Sequence, residues 1–291
     1  MIRSATVKDI PEIKKLWERC FDDPINYIDF LYDRVTVPER TLVWEDEDGT
    51  VAAIAMSIDC GFSFKEQSLQ GVYIYGCATL PGRAWQGIQS KLISRLEHEA
   101  EKKGAQMSLI VPGNMMLYSF FRKLGYTSEF PYRDVVLRPG VLGDMGEPDS
   151  PVAYNTITSA EMFSIREQAL YDTPHVRWEE EQMAFLIMDA ITYGEIIASY
   201  DGEKGKSYVV YSMRNSHMYV KECLGTNEES VRTILSALID EHNPRRVHMR
   251  LPASGGLLPF EGQKKKYGLA KLFRTGKTLT GFEPYMNLML D

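Results

Sequence analysis

The sequence predicts an α/β protein of the α+β kind, built as two domains that each carry a mixed, mostly antiparallel twisted sheet flanked by helices. Three observations predict it. Short runs rich in β-branched and aromatic residues alternate with stretches of helical apolar spacing. A strand–helix–strand crossover follows a set of antiparallel-type runs, which requires one parallel pair. The same order of elements then recurs in weaker form after residue 151. The length, 291 residues, suits about two domains.

In chain order, Met1–Thr6 reads as a short strand. Thr6 followed three residues later by Asp9 marks a helix start, continued by Ile10, Ile13, Leu16, Trp17 and Phe21, with Pro11 tolerated in the first turn. A second helix is expected over Pro24–Asp33. Arg40–Glu45 and Val51–Ile58 form a hairpin whose turn holds Asp48-Gly49, a pair suited to positive φ. Val72–Thr79 is a strand with Tyr73 and Tyr75 on one face, ended by Pro81-Gly82. From Gly87 onward Ile88, Leu92, Ile93 and Leu96 recur at helical spacing until Lys103-Gly104. Met107–Val111 fits a buried strand, and a helix with Leu117, Tyr118, Phe121 and Leu124 closes at Gly125-Tyr126. Tyr132–Arg138 is read as the last strand of a first domain spanning 1–138, followed by a glycine-rich linker over 139–151.

The second domain, 152–291, opens with the capping box Thr158…Glu161 and a helix to Tyr171. A helix over Trp178–Thr192 precedes strands at Glu195–Tyr200, Ser207–Arg214 and His217–Leu224. A helix over Glu228–His242 and a strand at Val247–Leu251 follow. Lys264-Lys265-Lys266 is expected in an irregular stretch, before a final strand over Glu283–Leu290. Trp178 fits either a domain interface, the preferred reading, or a substrate wall.

Hydrophobic residues make up 44% and charged residues 25%, an ordinary globular balance, and the net charge of −7 argues against nucleic acid or an anionic membrane as partner. No apolar run reaches membrane-spanning length and no signal-peptide pattern opens the chain, so a cytoplasmic location is expected. Cysteines 20, 60, 77 and 223 are scattered and the five histidines show no HxxxH spacing, so no metal is expected. Nothing in the sequence sets the oligomeric state.

The chemistry concentrates in Val72–Leu92. A strand that feeds a helix through a glycine turn leaves several N–H groups unpaired at the positive end of a helix dipole, and such a spot suits a phosphate. Taken alone, the same segment also reads as a plain strand–turn–helix packing unit. The stretch VYIYGCATLPGRAWQGIQSKL resembles the acyl-CoA-binding segment of the GNAT superfamily of N-acetyltransferases, roughly P-x-x-R-x-x-G-x-G/A before a helix. Pro81 stands at the proline, Gly87 at the first glycine and Ser90-Lys91-Leu92 at the helix opening. Ala84 replaces the arginine, Gln89 replaces the second small residue, and Arg83 is displaced by one place. NMMLYSFFRKLGY resembles the family's second signature, with Asn114 ahead of the helix and Phe121 where a tyrosine often protonates the departing thiolate.

The resemblance implies an N-acetyltransferase that uses acetyl-CoA as co-substrate and acts on a small-molecule or peptide amine. It implies that Cys77, Ala78, Thr79 and Leu80 pair with the pantetheine. Backbone N–H groups of Ala84, Trp85, Gln86, Gly87, Ile88 and Gln89 would cradle the pyrophosphate, helped by Arg83 or Ser90, with Asn114 and Phe121 at the remaining cofactor positions. Tyr118 is either a core residue with its hydroxyl at the rim, the preferred reading, or a substitute acid or substrate-binding group at the mouth of the site. Asp29, Asp33 and Asp59 are candidate bases or plain surface charge, and the lysine run is a solvated face or a clamp for the 3′-phosphate or an acidic substrate. In the second half Gly225-Thr226-Asn227 replaces the long turn, too short to wrap a pyrophosphate. Tandem GNAT-like domains occur in the "enhanced intracellular survival" type of acetyltransferase, which implies a catalytic C-terminal carboxylate at Asp291. The alternative is a degenerate repeat that binds a ligand or protein without catalysis.

Overall fold

The computed structural model describes residues 1–24, 26–84, 86–142, 147–273, 279 and 281–290. The strands and helices, in order, are β1 (Ile2–Ser4), α1 (Ile10–Cys20), α2 (Tyr27–Phe30), β2 (Thr41–Glu45), β3 (Val51–Phe64), β4 (Gln67–Thr79), α3 (Ile88–Lys102), β5 (Met107–Ile110) and α4 (Met115–Lys123). There follow β6 (Ser128–Leu137), β7 (Ala153–Tyr154), α5 (Ser159–Ala169), β8 (His175–Arg177), α6 (Glu180–Thr192), β9 (Ile196–Gly202), β10 (Gly205–Arg214), β11 (His217–Gly225), α7 (Glu228–His242), β12 (Arg246–Pro252) and β13 (Gln263–Leu272). The fold is mixed α/β with mostly antiparallel strand pairs flanked by helices. Two compact units form: unit 1 from 1–61, 69–127 and 269–278, unit 2 from 62–68, 128–268 and 279–291.

Unit 1 runs in strand order β1-β2-β3-β4-β5, with residues 269–272 of β13 on the far side of β5. β4 and β5 are parallel, as the crossover through α3 requires. Apolar residues of α3 (Leu92, Ile93, Leu96) pack on Val72 and Ile74 of β4 and on Ile110, Tyr126 and Leu269. The expected start of α1 is present: Asp9 accepts from the Thr6 N–H at 2.7 Å and from its hydroxyl at 2.8 Å.

Unit 2 runs β6-β12-β11-β10-β9-β7 and repeats the element order of unit 1, including a parallel pair, β11 with β12, joined through α7. Its main core sets Ile234, Leu235 and Leu238 of α7 against Val209, Tyr211, Val220 and Val247. Trp178 is fully buried here, edge-on to Phe185 at 6.3 Å. A second, polar core holds Arg166 and Glu222, both without exposure, 3.4 Å apart. Tyr208 donates to the same carboxylate at 2.6 Å.

Four sequence expectations change. Residues 128–137, placed at the end of a first domain, lie in unit 2, because β6 pairs antiparallel with β12 from Tyr132 to Leu137 and buries Val135 and Leu137 there. Lys264–Lys266 are not irregular but stand on β13, where each meets an acid: Glu283, Asp134 and Glu129 in turn. Glu283–Leu290 is not a strand. Only Tyr285 makes a β-bridge, to His175, and every residue from Tyr285 to Leu290 is buried, so no alternation is imposed. The helix expected over Pro24–Asp33 is one short turn, α2, running into a π-helical turn at Leu31–Val35. In the linker, Pro139–Leu142 forms a 3-10 turn and residues 143–146 lie outside the described residues.

Candidate functional site

The site is built on the far end of β4. Its pairing with β5 covers Gly71–Tyr73 against Met107–Leu109, and β4 then runs on through Ile74–Thr79 past the last of these pairs. That edge of the strand is left for another extended chain to pair with. Gly76 interrupts it at φ +58°, and a Cβ there would lie 2.6 Å from the Trp17 ring, so conformation and space both demand glycine. Cys77 packs beside the α3 core, and burial pushes its thiol up to about 12.

Beyond β4 the Leu80 N–H is tied to Ala52 O at 2.9 Å, and Pro81–Arg83 forms a 3-10 turn. Pro81–Ala84, Gln86 and Gly87 are exposed. Gly87 caps α3 at φ +74° with open space where a Cβ would be, so the conformation alone calls for glycine. No side chain caps this helix and no acid sits in its first turn. Lys91 N makes the first intrahelical bond back to Gly87 O, at 3.3 Å. The N–H groups of Ile88, Gln89 and Ser90 therefore have no intrahelical acceptor, and they share the positive end of a 15-residue helix.

Unit 2 treats the corresponding turn differently. Asn227 caps α7 by accepting from Ser230 N at 2.9 Å, and Glu228 and Glu229 fill the first turn. A capped, acidic helix start repels the anion that an open one attracts.

Two side chains in unit 1 stand elsewhere than the sequence placed them. Arg83 turns to the β2–β3 hairpin and binds Asp46 Oδ2 through Nε at 2.9 Å and Nη2 at 2.7 Å. Gln89 turns to the sheet, where Nε2 donates to Ala78 O at 2.7 Å, Ile54 O at 2.9 Å and Thr79 Oγ1 at 3.0 Å. It therefore ties α3 to the end of β4 as well as occupying the turn. Asn114 caps α4, its Oδ1 accepting from Met116 and Leu117 N at 3.0 and 3.2 Å. Tyr118 and Phe121 are both buried in the α3–α4 core. Trp85 and Asp291 lie outside the described residues. Among the candidate bases, Asp29 pairs with Lys14 and Asp59 with Arg40, both on the surface.

Sequence reasoning missed the bonds of Gln89, the Arg83–Asp46 pair, and a cleft of about 160 Å³ beside Leu80 walled by Glu12, Lys15 and Arg19 of α1. The i, i+4 placement of the two cations was the available signal for the cleft. Nothing in a sequence motif shows which way a glutamine turns.

Residues 1–128 match the family model described as "Acetyltransferase (GNAT) domain". The fold of the chain is shared with GCN5-related N-acetyltransferases. One from Kribbella flavida aligns with TM-score 0.72 and 18% identity, over 94% of this chain and 70% of the other. One from Anabaena variabilis ATCC 29413 aligns with TM-score 0.72 and 13% identity, over 94% and 72%. Eis1 from Mycobacterium abscessus aligns with TM-score 0.68 and 13% identity, over 94% and 73%. No curated protein matches the chain.

Proposed function

We propose that unit 1 is an acetyl-CoA-dependent N-acetyltransferase for a primary amine, carried by a small molecule or a peptide. The observation that carries this reading is the free edge of β4 leading into the uncapped start of α3 within a GNAT-family segment. Acetyl-CoA supplies an activated thioester. The chain's own part is to hold it: N–H groups at 87–90 toward the pyrophosphate and the Cys77–Thr79 edge along the pantetheine arm. With Phe121 in place of a tyrosine and Tyr118 buried, rate would come chiefly from holding amine and thioester together. Unit 2, with α7 capped and acidic at its start, is proposed to bind no cofactor.

We place the activity in the cytoplasm, without nucleic-acid or membrane partners. Supporting this are the scattered free cysteines and the absence, among the described residues, of a helix long and apolar enough to cross a membrane. A second reading, a ligand- or protein-binding module without turnover, is favoured by Arg83 being committed to Asp46, away from the turn.

Calorimetric titration with acetyl-CoA, followed by thiol-release assays on a panel of amines, separates the two. Saturable binding and amine-dependent release support the enzyme. Binding without release for any amine leaves the second reading, and no binding at millimolar acetyl-CoA removes the cofactor assignment.

A further inference from the structure

The turn after β4 is short of fixed positive charge, with Ala84 uncharged and Arg83 committed to Asp46. Just ahead of that turn, at Leu80, α1 supplies what the turn lacks. Its exposed face carries Lys15 and Arg19 at i, i+4 spacing, which sets both side chains along one wall of the cleft beside Leu80. Leu16, Thr50 and Val51 complete the lining, and the volume of about 160 Å³ has room for about five water molecules, enough for a phosphate group and its nearest waters. The walls are tied together, because the Cys20 thiol donates to Thr79 O at 3.6 Å and the Leu80 N–H to Ala52 O at 2.9 Å.

Neither cation meets an acid among the described residues, whereas the neighbouring Lys14 pairs with Asp29. Glu12 also lines the cleft, but its Oε2 accepts from the Val51 N–H at 3.3 Å, which turns one of its oxygens to the backbone. Two positive charges therefore face one negative charge on a concave surface, in a chain whose net charge is −7. Such a surface concentrates anions.

We propose that this cleft is an anion site that takes a phosphate group. The Lys15 ammonium acts as a point charge, and the Arg19 guanidinium offers a fork that suits two phosphate oxygens. Two sources carry that chemistry. One is the acyl donor's own phosphates, since Leu80 leads directly into the Pro81–Arg83 turn. The other is a separate phosphorylated ligand. The site stands on the cleft itself, and only the first source rests on the acetyl-CoA reading above.

The test titrates pyrophosphate calorimetrically into the whole chain at low ionic strength. Both cations are exposed, so removing Lys15 and Arg19 together, each to alanine, leaves the α1 core in place. This double variant is expected to bind pyrophosphate about tenfold more weakly and with a shallower salt dependence. Glu12→Gln, which keeps an acceptor for the Val51 N–H, is expected to bind it more tightly than wild type. A merely structural role for these residues would not give opposite signs for the cations and the acid. No binding by the wild type at millimolar pyrophosphate, or no gain in Glu12→Gln, overturns the proposal. Undiminished binding by the double variant overturns it too, because the anion would then belong to the start of α3. Acetyl-CoA separates the sources: a matching loss in the double variant makes the donor's phosphates the occupant, and an unchanged affinity makes it a separate phosphorylated ligand. If the wild type does not bind acetyl-CoA, the acetyl-CoA reading falls, and the pyrophosphate comparison still decides the cleft.

Discussion

Arg3 forks onto both oxygens of Asp9, at 2.7 and 2.8 Å, and also bonds Glu45 across the β1–β2 pair. The guanidinium, then the Thr6 N–H and hydroxyl, hold the Asp9 carboxyl well below the ordinary carboxylate range against the cost of its burial. A carboxylate depressed in the folded state stabilises above its unfolded pKa, and that stability is lost as pH falls toward the folded value. Asp9→Asn is therefore expected to cost about 2 kcal/mol at pH 7. The difference from wild type should shrink progressively below about pH 4. Urea titrations at pH 7 and pH 3 check this, and an equal loss at both would refute the linkage. At this scale the sequence was legible where a bond is local. Thr6 and Asp9 announce themselves by spacing, whereas Gln89 reaches residues 35 and 11 places away and Arg83 reaches one 37 away. Those choices depend on packing that no motif encodes.

The pairing of β13 with β5 shows what holds an element that the sequence misread. Lys271 on β13 bonds Glu97 of α3 at 2.6 Å, and Ser108 of β5 donates to the same buried carboxylate at 2.8 Å. Tyr126 lies 3.0 Å from the serine hydroxyl, and burial, then the nearby Glu97 charge, drives its phenol well above the usual value. Lys271→Met would leave Glu97 buried without its cation and is expected to cost about 3 kcal/mol. Adding Glu97→Gln should recover part of that loss, because a neutral side chain tolerates burial better. Denaturant unfolding of the two variants decides it, and a Lys271→Met cost within the range of ordinary surface substitutions would show the pair to be idle. The strand escaped sequence reading because the polar residues at its start satisfy acids rather than alternating with apolar ones. Tyr267–Ala270, the buried part, is only four residues long. The helices α1, α3, α4 and α7, whose apolar faces are continuous, were readable throughout.

Across the whole molecule the repeated element order was visible in the sequence, but the assignment of strands to units was not. Periodicity reports which residues are buried and is silent on which partner buries them. A fragment ending at residue 138 would lack residues 269–272, the antiparallel partner of β5, and would carry β6 without β12. Such a fragment is expected to aggregate or to unfold without a cooperative transition. Circular dichroism melts and sedimentation of the fragment check this, and a sharp, reversible transition in a monomer would contradict it. A chain is made from its N-terminus, and β13 lies far downstream of β5. While the rest of the polypeptide is being synthesised, β5 has one edge with no native partner, which gives chaperones and aggregation their longest opportunity at the strand beside the candidate site. Pairing on both edges of β5 therefore waits for residues 269–272, however early the rest of unit 1 has emerged.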